Sequence, residues 1–397
     1  RSEKTMKLFH ISDLHIGKLL NGYSLRENQE HVLAQIVFYA ASERPDVILI
    51  CGDIYDKAAP SGEAYQVFDH FLEELSGIEP GIPVLIIAGN HDSPERLSYA
   101  SSFLEKHQIH LSVFPPVKAE EHLKKIVLED EYGPVAFYLL PFLKPGYVRH
   151  LFPEGEVTDY ESAVRSILSR EEIDRRIRNV LLSHQFYAGR SKEPETCESE
   201  TAVIMAGGLD RIDAGVLDDF DYAALGHLHG AQQAGRNAVR YCGSPYKYSV
   251  SEERHHKAVT VVTLGPKGEE PKIDFLPLSG TQDVRRLVGT LQEVLDLAPE
   301  GKVCRDFVSV TITDEEEAYR IREKLEERFD HLLELRLDNE RTRRRMKEEG
   351  EGEALPVLSP MEAFRQFFEA VHHVPLTSGE VRLMERLIQE AKEEEGQ

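Results

Sequence analysis

Short apolar, β-branched runs that each end abruptly in polar residues constrain this chain more than any other feature. The runs are 7–11, 47–51, 84–88, 180–182 and 222–225, and they lead into Ser12-Asp13-Leu14-His15, Gly52-Asp53, Gly89-Asn90-His91-Asp92, Ser183-His184 and Gly226-His227-Leu228-His229. Polar stretches of helical length separate them, so the pattern from Met6 to about Leu264 predicts an α/β layered domain. Because ligands bind at the carboxyl ends of strands in open α/β sheets, we expect these polar ends to converge on one site.

The length of 397 residues predicts about two or three domains. The apolar runs are strand-sized and stay far below the roughly 18 residues that a membrane span needs, so we expect a soluble protein with no membrane partner. The start of the chain shows no apolar targeting segment, and Met6 is a candidate for the natural first residue. The four cysteines are scattered without a CxxC pair, which argues against a zinc ribbon or a disulfide framework and favours a reducing cytoplasm.

The last third of the chain is organised differently. Residues 271–339 predict a small α+β domain, in the order strand, helix (282–297), strand (305–312), helix (315–328) and strand (331–337). Residues 340–357 are charged and contain glycine without apolar periodicity, which is typical of a linker. Residues 358–394 carry capping-box sequences beginning at Ser359 and Thr377, each followed by a one-sided apolar pattern, and so predict a helical hairpin. The hairpin either docks onto this chain or binds a partner, and the intervening linker favours a partner.

The residue types at the strand ends suit a site for two metal ions. Cleaving a phosphodiester in water needs an activated nucleophile, neutralised phosphoryl oxygens and a stabilised leaving oxygen, and two cations roughly 3.5 to 4 Å apart supply all three. Holding two ions takes a bridging carboxylate together with histidines, a further Asp and a neutral amide, while positions stay open for water and phosphate. The strand-end loops of this chain offer that mixture.

We expect the candidate ligands to form two groups around a shared carboxylate. Asp53 follows its strand through a glycine and suits the bridging position. The residues predicted for the first ion are Asp13, His15 and His229, and those predicted for the second ion are Asn90, His184 and His227. Asp13 and His15 can share an ion because strand side chains repeat with a period of two.

His91, next to Asn90, is the predicted catalytic residue. It is free to face the phosphate, where an imidazole stabilises the scissile group or protonates the leaving oxygen. A single Asp or His at a strand end is more often a cap or a satisfied polar residue. The full set is more telling, since several independent strand ends would have to carry metal-type residues by accident.

The chain resembles the calcineurin-like metallophosphoesterase superfamily in five motifs, which stand in order: DLHIG (13–17), GDIYD (52–56), GNHD (89–92), SHQ (183–185) and GHLH (226–229). A narrower resemblance, over essentially the whole chain from Met6, is to the SbcD family, the nuclease subunits of bacterial SbcCD complexes. It is carried by ISDLHIG (11–17), GNHDSPERL (89–97), CGSP (242–245) and the terminal hairpin.

The resemblance implies a β-sheet sandwich flanked by helices in residues 6–266, followed by the capping domain, linker and hairpin. It implies a manganese-dependent DNA nuclease acting on double-stranded ends and hairpins, as an ATP-dependent 3′ to 5′ exonuclease and single-strand endonuclease in DNA repair, recombination and replication. It also implies that residues 271–339 cap the DNA channel, and that the hairpin grips the coiled coil of the ATPase SbcC in a heterotetramer-type complex. A homodimer agrees with the resemblance and with the prevalence of twofold symmetry.

Two features of the sequence bear on these implications. The chain contains no GxxxxGK[ST] motif, so any ATP dependence must come from such a partner. The formal net charge is −23, although duplex binding usually rests on clustered Lys and Arg. Either a local basic patch exists or the partner supplies one, and bound cations would offset part of the acidic cluster.

Asp56, His255 and His256 are acidic and histidine residues outside the predicted ligand set. Archaeal and eukaryotic relatives carry a His shortly after the bridging Asp, whereas the nearby acidic residue here is Asp56, which we interpret as orienting a ligand rather than as a ligand. His255 and His256 lie outside the signature and are interpreted as a solvated loop pair.

The metal core alone would fit a generic metallophosphatase, or an assembly subunit with structural metals, and the ligands would also accept iron, zinc or cobalt.

Overall fold

The computed structural model describes residues 5–189, 193–200, 210–315 and 320–343, and beyond them 361, 364–365, 368, 376–377, 379–381 and 383–384. Within these residues the strands are β1 (Met6–Ile11), β2 (Leu19–Leu20), β3 (Tyr23–Ser24), β4 (Val47–Cys51), β5 (Val84–Ile87), β6 (Ile109–Ser112), β7 (Lys124–Asp130), β8 (Gly133–Leu140), β9 (Arg178–Ser183), β10 (Tyr187–Ala188), β11 (Ile212–Asp213), β12 (Tyr222–Leu225), β13 (Gln232–Gln233), β14 (Val239–Tyr241), β15 (Ala258–Leu264), β16 (Lys272–Pro277), β17 (Val284–Gly289), β18 (Cys304–Ile312) and β19 (Phe329–Leu337).

The α-helices of the same residues are α1 (Arg26–Glu43), α2 (Gly62–Ser76), α3 (Pro94–Leu97), α4 (Ser101–Leu104), α5 (Pro145–Val148), α6 (Tyr160–Ser169), α7 (Leu291–Asp296) and α8 (Ile321–Glu326). Short 3₁₀ turns cover Glu105–His107, Arg149–Leu151, Ala214–Leu217 and Val250–Glu252. Of the helices described, none combines the length and the apolar character needed to cross a membrane.

Two large mixed sheets form the body of the protein. The first has the strand order β16-β15-β1-β4-β5-β6, and the second has the order β13-β14-β12-β9-β8-β7. Strands β1, β4 and β5 run parallel to one another in the first sheet, and β8, β9, β12 and β14 do so in the second. Their carboxyl ends therefore meet at one edge of each sheet.

Alternation along the strands produces the layers. In β1, Met6 and Leu8 join the apolar core between the two sheets, where they meet residues such as Phe137 of β8. Phe9 and Ile11 belong to the core on the opposite face, which α1 and α2 cover. The far side of the second sheet packs against α6 and the surrounding loops. The predicted α/β layered fold, a β-sheet sandwich flanked by helices, is confirmed.

A three-stranded sheet of order β17-β18-β19 follows the sandwich. It packs onto the sandwich through a buried apolar cluster made of Leu20, Leu25, Val32, Tyr246, Tyr248, Val284 and Phe307. The predicted strands 305–312 and 331–337 agree with β18 and β19 to within two residues.

The helix predicted at 282–297 is wrong in its first half, where the structure has β17, and the helix begins only at Leu291. The apolar positions Val284, Leu287, Leu291 and Val294 happen to follow a helical spacing across both elements. The true helix start is marked by a capping box at Thr290, whose hydroxyl accepts the amide of Glu293.

Two other expectations for this region differ from the structure. The strand expected to open the small domain, β16, pairs antiparallel with β15 at the edge of the first sheet, so the boundary predicted between 266 and 271 falls inside that sheet. An apolar alternation predicts a strand but does not say which sheet it joins. Of the helix predicted at 315–328, the structure describes only the shorter α8 (Ile321–Glu326), and residues 316–319 lie outside the described residues.

Residues 312–315 and the described residues from 337 onward form a second compact unit. In it, the Asp338 amide donates to the Ile312 carbonyl at 2.8 Å. The predicted capping box at Thr377 is present, since the Thr377 amide donates to the Glu380 carboxylate at 2.8 Å. The linker predicted at 340–357 and the hairpin predicted at 358–394 otherwise lie mostly outside the described residues.

Candidate metal centre

The strand ends predicted to carry the chemistry meet where the two sheets face each other. Three loops come from the first sheet: β1 leads to Asp13 and His15, β4 to Asp53, and β5 to Asn90 and His91. Two loops come from the second sheet. β9 leads to His184, and β12 leads to His227 and His229. The structure thus brings every residue of the predicted site together, while their roles as ligands stay predictions.

Four of these residues have a backbone conformation that L-residues rarely adopt. The φ angles are 52° at Asp13, 42° at His15, 51° at Asp53 and 99° at His227. Main-chain hydrogen bonds between loops hold two of them, since the Asp13 amide donates to the Gly52 carbonyl and the His15 amide to the Asp53 carbonyl, both at 3.0 Å. Backbone strain of this kind persists where the surrounding structure fixes it, and it is concentrated at functional sites.

Glycines let these loops approach one another closely. Gly52 has a φ of +89°, and a Cβ there would lie 2.9 Å from the Cα of Gly89 and against the His184 ring. A Cβ on Gly226 would collide with the Cys51 carbonyl. Both glycines immediately precede candidate ligands, so the close packing of the loops depends on the missing side chains.

The first donor group consists of Asp13, His15 and His229. Ligand atoms of the three residues lie within 4.8 Å of one another. The Nε2 atoms of His15 and His229 are 3.2 Å apart. All three side chains are buried.

The second donor group consists of Asn90, His184 and His227. The Asn90 Oδ1 lies 3.0 Å from His184 Nε2 and 3.0 Å from His227 Nδ1, so three donor atoms face a common point. His184 and His227 are buried, whereas Asn90 is half-buried.

Asp53 lies between the two groups. Its Oδ2 is 3.6 Å from His15 Nε2 on one side and 3.3 Å from His184 Nε2 on the other. The other oxygen, Oδ1, accepts the amide of His91 at 2.9 Å. One carboxylate oxygen thus faces a nitrogen of each group, which is the arrangement that a shared carboxylate requires.

His91 is placed at the open side of the site. It is half-buried, and its ring lies 4.9 Å from the ring of His15 in an edge-to-face contact. Its Nδ1 lies 2.8 Å from the Asp56 carbonyl, so Nδ1 carries the proton and donates it. Nε2 is then the nitrogen that can accept or pass a proton.

The contacts of the remaining ring nitrogens decide which nitrogen each histidine can offer to a metal. His184 Nδ1 lies 2.7 Å from the Cys51 carbonyl, which accepts its proton and leaves Nε2 as the ligand atom. His229 Nδ1 lies 2.9 Å from the Ser199 hydroxyl and 3.2 Å from the Glu252 carboxylate, which leaves Nε2 free in the same way. Such contacts fix the tautomer and orientation of ligating imidazoles.

Asp56 stands behind His15. Its carboxylate lies 3.5 Å from His15 Nδ1, an ion-pair distance without a well-aligned hydrogen bond, and it accepts a hydrogen bond from Lys18 at 2.8 Å. The interactions with His15 and Lys18 outweigh burial and hold the pKa of Asp56 well below its usual range. This placement fits the interpretation of Asp56 as a residue that orients His15.

Burial is the main cause of the pKa shifts of Asp13, His15 and His227. It raises the pKa of Asp13 to about 6, and it lowers the pKa of His15 to about 4 and that of His227 to about 3. These two imidazoles are therefore neutral near pH 7, which is the state that coordinates a metal.

His184 and Asp53 behave differently because they face each other. Burial opposes both charges, but the charge of Asp53 raises the pKa of His184 to about 9, and the charge of His184 holds the pKa of Asp53 well below its usual range. A cation bound beside Asp53 would replace the proton on His184, so metal binding here releases a proton.

The types of ligand atom and their spacing show whether two metal ions fit among these residues. Carboxylate and amide oxygens with imidazole nitrogens are a donor set taken by divalent transition metals. Ligand atoms of Asp13, Asp53 and His184 also lie within 4.8 Å of one another, so Asp53 is within reach of both groups. The residues present fit two divalent cations that share Asp53.

The sequence motifs did not indicate every residue that supports the site. Asp92 ends the GNHD motif, and its buried carboxylate accepts the amides of Gly89 at 2.8 Å, Tyr55 at 3.0 Å and Ile54 at 3.2 Å, which ties the loop after β4 to the loop after β5. In the sequence, the position of Asp92 directly after Asn90 and His91 is the feature that indicates its part in the site. Glu252 lies in a stretch without any motif, and only the fold brings it to His229.

Two family models match this chain. One, described as calcineurin-like phosphoesterase, covers residues 6–231. The other, described as type 5 capsule protein repressor C-terminal domain, covers residues 280–372. The first match covers the sandwich up to the loop after β12, and the second covers the small three-stranded sheet and the residues that follow it.

Curated relatives match over most of their length. A protein of Staphylococcus epidermidis, named as the D subunit of the SbcCD nuclease, is 31% identical over 292 residues, which is 73% of this chain and 74% of that protein. One of the same name from Staphylococcus saprophyticus is 30% identical over 299 residues, 75% of each chain. Among solved structures, TT1561 of Thermus thermophilus is 11% identical and covers 68% of this chain and 99% of its own, with a TM-score of 0.39.

Proposed function

The chain belongs to the calcineurin-like phosphoesterase family and, within it, to the family of the D subunits of SbcCD nucleases, and from this membership we propose that it is a dimetal nuclease that cuts DNA. Membership makes it a metal-dependent phosphodiester hydrolase. DNA as the substrate is the proposal. It is supported by the name of the two curated relatives, which are subunits of a nuclease.

The observation that carries the hydrolytic part is the position of Asp53 between the two donor groups, 3.6 Å from His15 Nε2 and 3.3 Å from His184 Nε2. Two bound cations supply an activated water and positive charge for the phosphoryl and leaving oxygens. Asp13, His15 and His229 would hold the first cation, Asn90, His184 and His227 the second, and Asp53 both.

His91 has the task of moving a proton at the open side of the site. Its amide is held by Asp53 and its Nδ1–H by the Asp56 carbonyl, so the ring has a fixed orientation. With the Nδ1 proton donated to the Asp56 carbonyl, Nε2 is the atom that faces the phosphate, and in the imidazolium form its N–H stabilises the scissile phosphate or protonates the leaving oxygen. The half-buried Asn90 and His91 mark the side from which a phosphate reaches the otherwise buried donors.

Contacts between the small sheet and Tyr248, which lies beside the first donor group, support the proposal of a capping domain. Tyr248 shares an apolar cluster with Val284 of β17 and Phe307 of β18, and its ring lies 5.4 Å from the ring of His15 and 5.5 Å from that of His229. We therefore keep the proposal that residues 271–339 cap a DNA channel above the metals.

The finer parts of the proposal follow from the family. They are a preference for manganese, ATP-dependent 3′ to 5′ exonuclease and hairpin or single-strand endonuclease action, and a role in DNA repair, recombination and replication. ATP dependence requires an ATPase partner, SbcC, in a heterotetramer-type complex. The hairpin at 358–394 would bind SbcC, and the linker at 340–357 would connect the hairpin to the rest of the chain. Such a partner would also explain how a chain with a net charge of −23 binds DNA, since the partner can supply the basic surface.

A homodimer is the proposed assembly of this chain. Tyr99 is 85% exposed and Phe103 is 61% exposed, beside an apolar groove of about 790 Å³ between α2 and the segment of α3 and α4. Large exposed apolar side chains of this kind are typical of interaction surfaces. The cysteines Cys51, Cys197, Cys242 and Cys304 are buried and are not joined in disulfides, in keeping with a cytoplasmic location.

The alternative is a metallophosphatase that acts on small or protein-bound phosphate esters. The two candidate functions differ in substrate. We would compare cleavage of a labelled hairpin DNA with cleavage of bis-p-nitrophenyl phosphate, in manganese and in chelator, by the wild type and by Asp53→Asn.

Manganese-dependent cutting of the hairpin that disappears in Asp53→Asn supports the nuclease. Activity confined to the small ester would contradict it and favour the alternative. DNA cutting that persists in Asp53→Asn, or in chelator, would contradict the metal mechanism itself.

A further inference from the structure

A buried ion pair lies behind His229. Glu252 ends the 3₁₀ turn Val250–Glu252, and its Oε2 accepts a hydrogen bond from Lys257 Nζ at 2.6 Å. The Glu252 side chain is 0% exposed and that of Lys257 is 6% exposed. Neither residue belongs to a sequence motif, and the site needs neither as a ligand.

Both members of the pair hold the same histidine. Glu252 Oε1 lies 3.2 Å from His229 Nδ1, and Lys257 Nζ donates to the His229 backbone carbonyl at 2.9 Å. The imidazole and the peptide of His229 are therefore fixed by the two ends of one ion pair. Lys257 Nζ also donates to the Ser244 hydroxyl at 2.8 Å and lies 3.5 Å from His255 Nδ1, so each of its three N–H bonds has an acceptor within reach.

The hydrogen bonds around Glu252 settle where the imidazole proton lies. Oε1 accepts from the Ser199 hydroxyl at 2.8 Å and from the Tyr248 amide at 3.2 Å. Because the Ser199 hydroxyl donates to Glu252, its oxygen accepts from His229 Nδ1 at 2.9 Å. Both neighbours of Nδ1 are acceptors, so Nδ1 keeps its proton and Nε2 is the nitrogen that faces the first donor group.

The cost of burying this pair argues that it does more than stabilise the fold. Two charges removed from water are a weak source of stability, and apolar replacements are often neutral or stabilising. The chain offers a comparison in the buried pair Arg178–Asp130, whose side chains are 2% and 5% exposed and whose guanidinium binds the carboxylate and two backbone carbonyls. The hydrogen bonds of that guanidinium go to residues outside the candidate ligands, whereas Glu252 and Lys257 both contact one.

We propose that the Glu252–Lys257 pair is a positioning device for His229 that sets the affinity of the first donor group for its cation. The inference rests on the proposed function, because it takes His229 as a ligand. Partners of ligating imidazoles typically contribute about 10- to 100-fold to metal affinity. Neither residue is a catalytic residue, since neither touches the substrate or a metal.

The test is a titration of the full chain with Mn²⁺ alone. Calorimetry measures the affinities, and electron paramagnetic resonance detects whether the bound ions are coupled. The wild type should bind two ions that are magnetically coupled. Glu252→Gln should weaken one of the two binding steps by about 10- to 100-fold and leave the other within about twofold, so that the spectrum of an isolated ion appears at intermediate Mn²⁺ concentration. In a His15→Ala background, which already lacks a first-group ligand, Glu252→Gln should change the remaining affinity by less than about twofold.

Two further variants separate positioning from folding. Glu252→Gln with Lys257→Met removes both charges and leaves no unpaired ion, and it should show the same weakened step as Glu252→Gln. Asp130→Asn breaks the comparison pair and should lower the melting temperature without changing either Mn²⁺ affinity.

The outcomes distinguish this inference from the proposed function. Two Mn²⁺ ions bound by the wild type, with unchanged affinities in both Glu252 variants, would overturn the inference and leave the nuclease standing. Equal weakening in Asp130→Asn would also overturn it, because destabilisation alone would then explain the loss. A wild type that binds no pair of ions would overturn both.

Discussion

The two imidazoles of the first donor group lie against carboxylates, whereas the His184 imidazole of the second group lies against a main-chain carbonyl. His15 and His229 stand in front of the carboxylates of Asp56 and Glu252, at 3.5 Å and 3.2 Å. In the second group, His184 donates instead to the Cys51 carbonyl at 2.7 Å. Ionised neighbours can be removed by a single substitution, whereas a carbonyl at a strand end moves only if the backbone moves. We therefore expect the first site to be tunable and the second to depend on the packing of the loops.

His91 belongs to neither group and should separate chemistry from metal binding. We expect His91→Gln to lower DNA cleavage by about a thousandfold, within the range for loss of a general acid. Mn²⁺ binding should be unchanged, because the His91 contact with Asp53 is made by its amide. Single-turnover cleavage and Mn²⁺ titration of the same preparation would check both. A loss of metal together with activity would show that the ring is a ligand.

Gly52→Ala tests the dependence of the second group on the main chain. A Cβ at a φ of +89° would press on the His184 ring and lie 2.9 Å from the Gly89 Cα. We expect cleavage to fall by about a hundredfold and stability by about 2 to 3 kcal/mol, since backbone strain and overpacking add. Denaturant unfolding and Mn²⁺ titration would measure the two effects.

Gly133→Ala is the matched control for that experiment. Gly133 also has a positive φ, +94°, but among the described residues nothing lies within 4 Å of its Cβ position, so the same backbone strain arises away from the metals. If both alanine variants lose metal affinity equally, packing against His184 is not the cause.

Asp56→Asn tests the support of the first group by side chains. The substitution removes the charge behind His15 but keeps the shape, and no well-aligned hydrogen bond to His15 is lost. We expect one Mn²⁺ binding step to weaken by about tenfold, the lower end of the range for such partners. We expect the Glu252 carboxylate to contribute at least as much to Mn²⁺ affinity as the Asp56 carboxylate. A larger loss of Mn²⁺ affinity in Asp56→Asn than in Glu252→Gln would contradict this expectation.

Asp159→Ala should produce the smallest effect and calibrate the others. Asp159 caps α6 by accepting the Ser162 amide at 2.8 Å. Loss of such a cap costs about 1 kcal/mol. Thermal unfolding should record that cost, and both Mn²⁺ affinities should stay within error. Any change in affinity would mean that global stability and metal binding are coupled.

The strand-end pattern predicted the α/β layered domain and the gathering of the site residues, because a parallel strand fixes where its last residues point, whereas the sandwich was implied by the family resemblance. Periodicity failed at 282–297, because Val284 and Leu287 of β17 continue the helical spacing of Leu291 and Val294 in α7. It also could not assign β16 to a sheet, because pairing is a long-range property. Glu252 and Lys257 were missed for a similar reason, since only the turn after β14 brings them to His229.

Anomalous scattering from a crystal of this chain grown with Mn²⁺ tests the central claim most directly. The account predicts two peaks on either side of the Asp53 carboxylate, one among Asp13, His15 and His229 and the other among Asn90, His184 and His227. A single peak, or peaks that do not both contact Asp53, would contradict it.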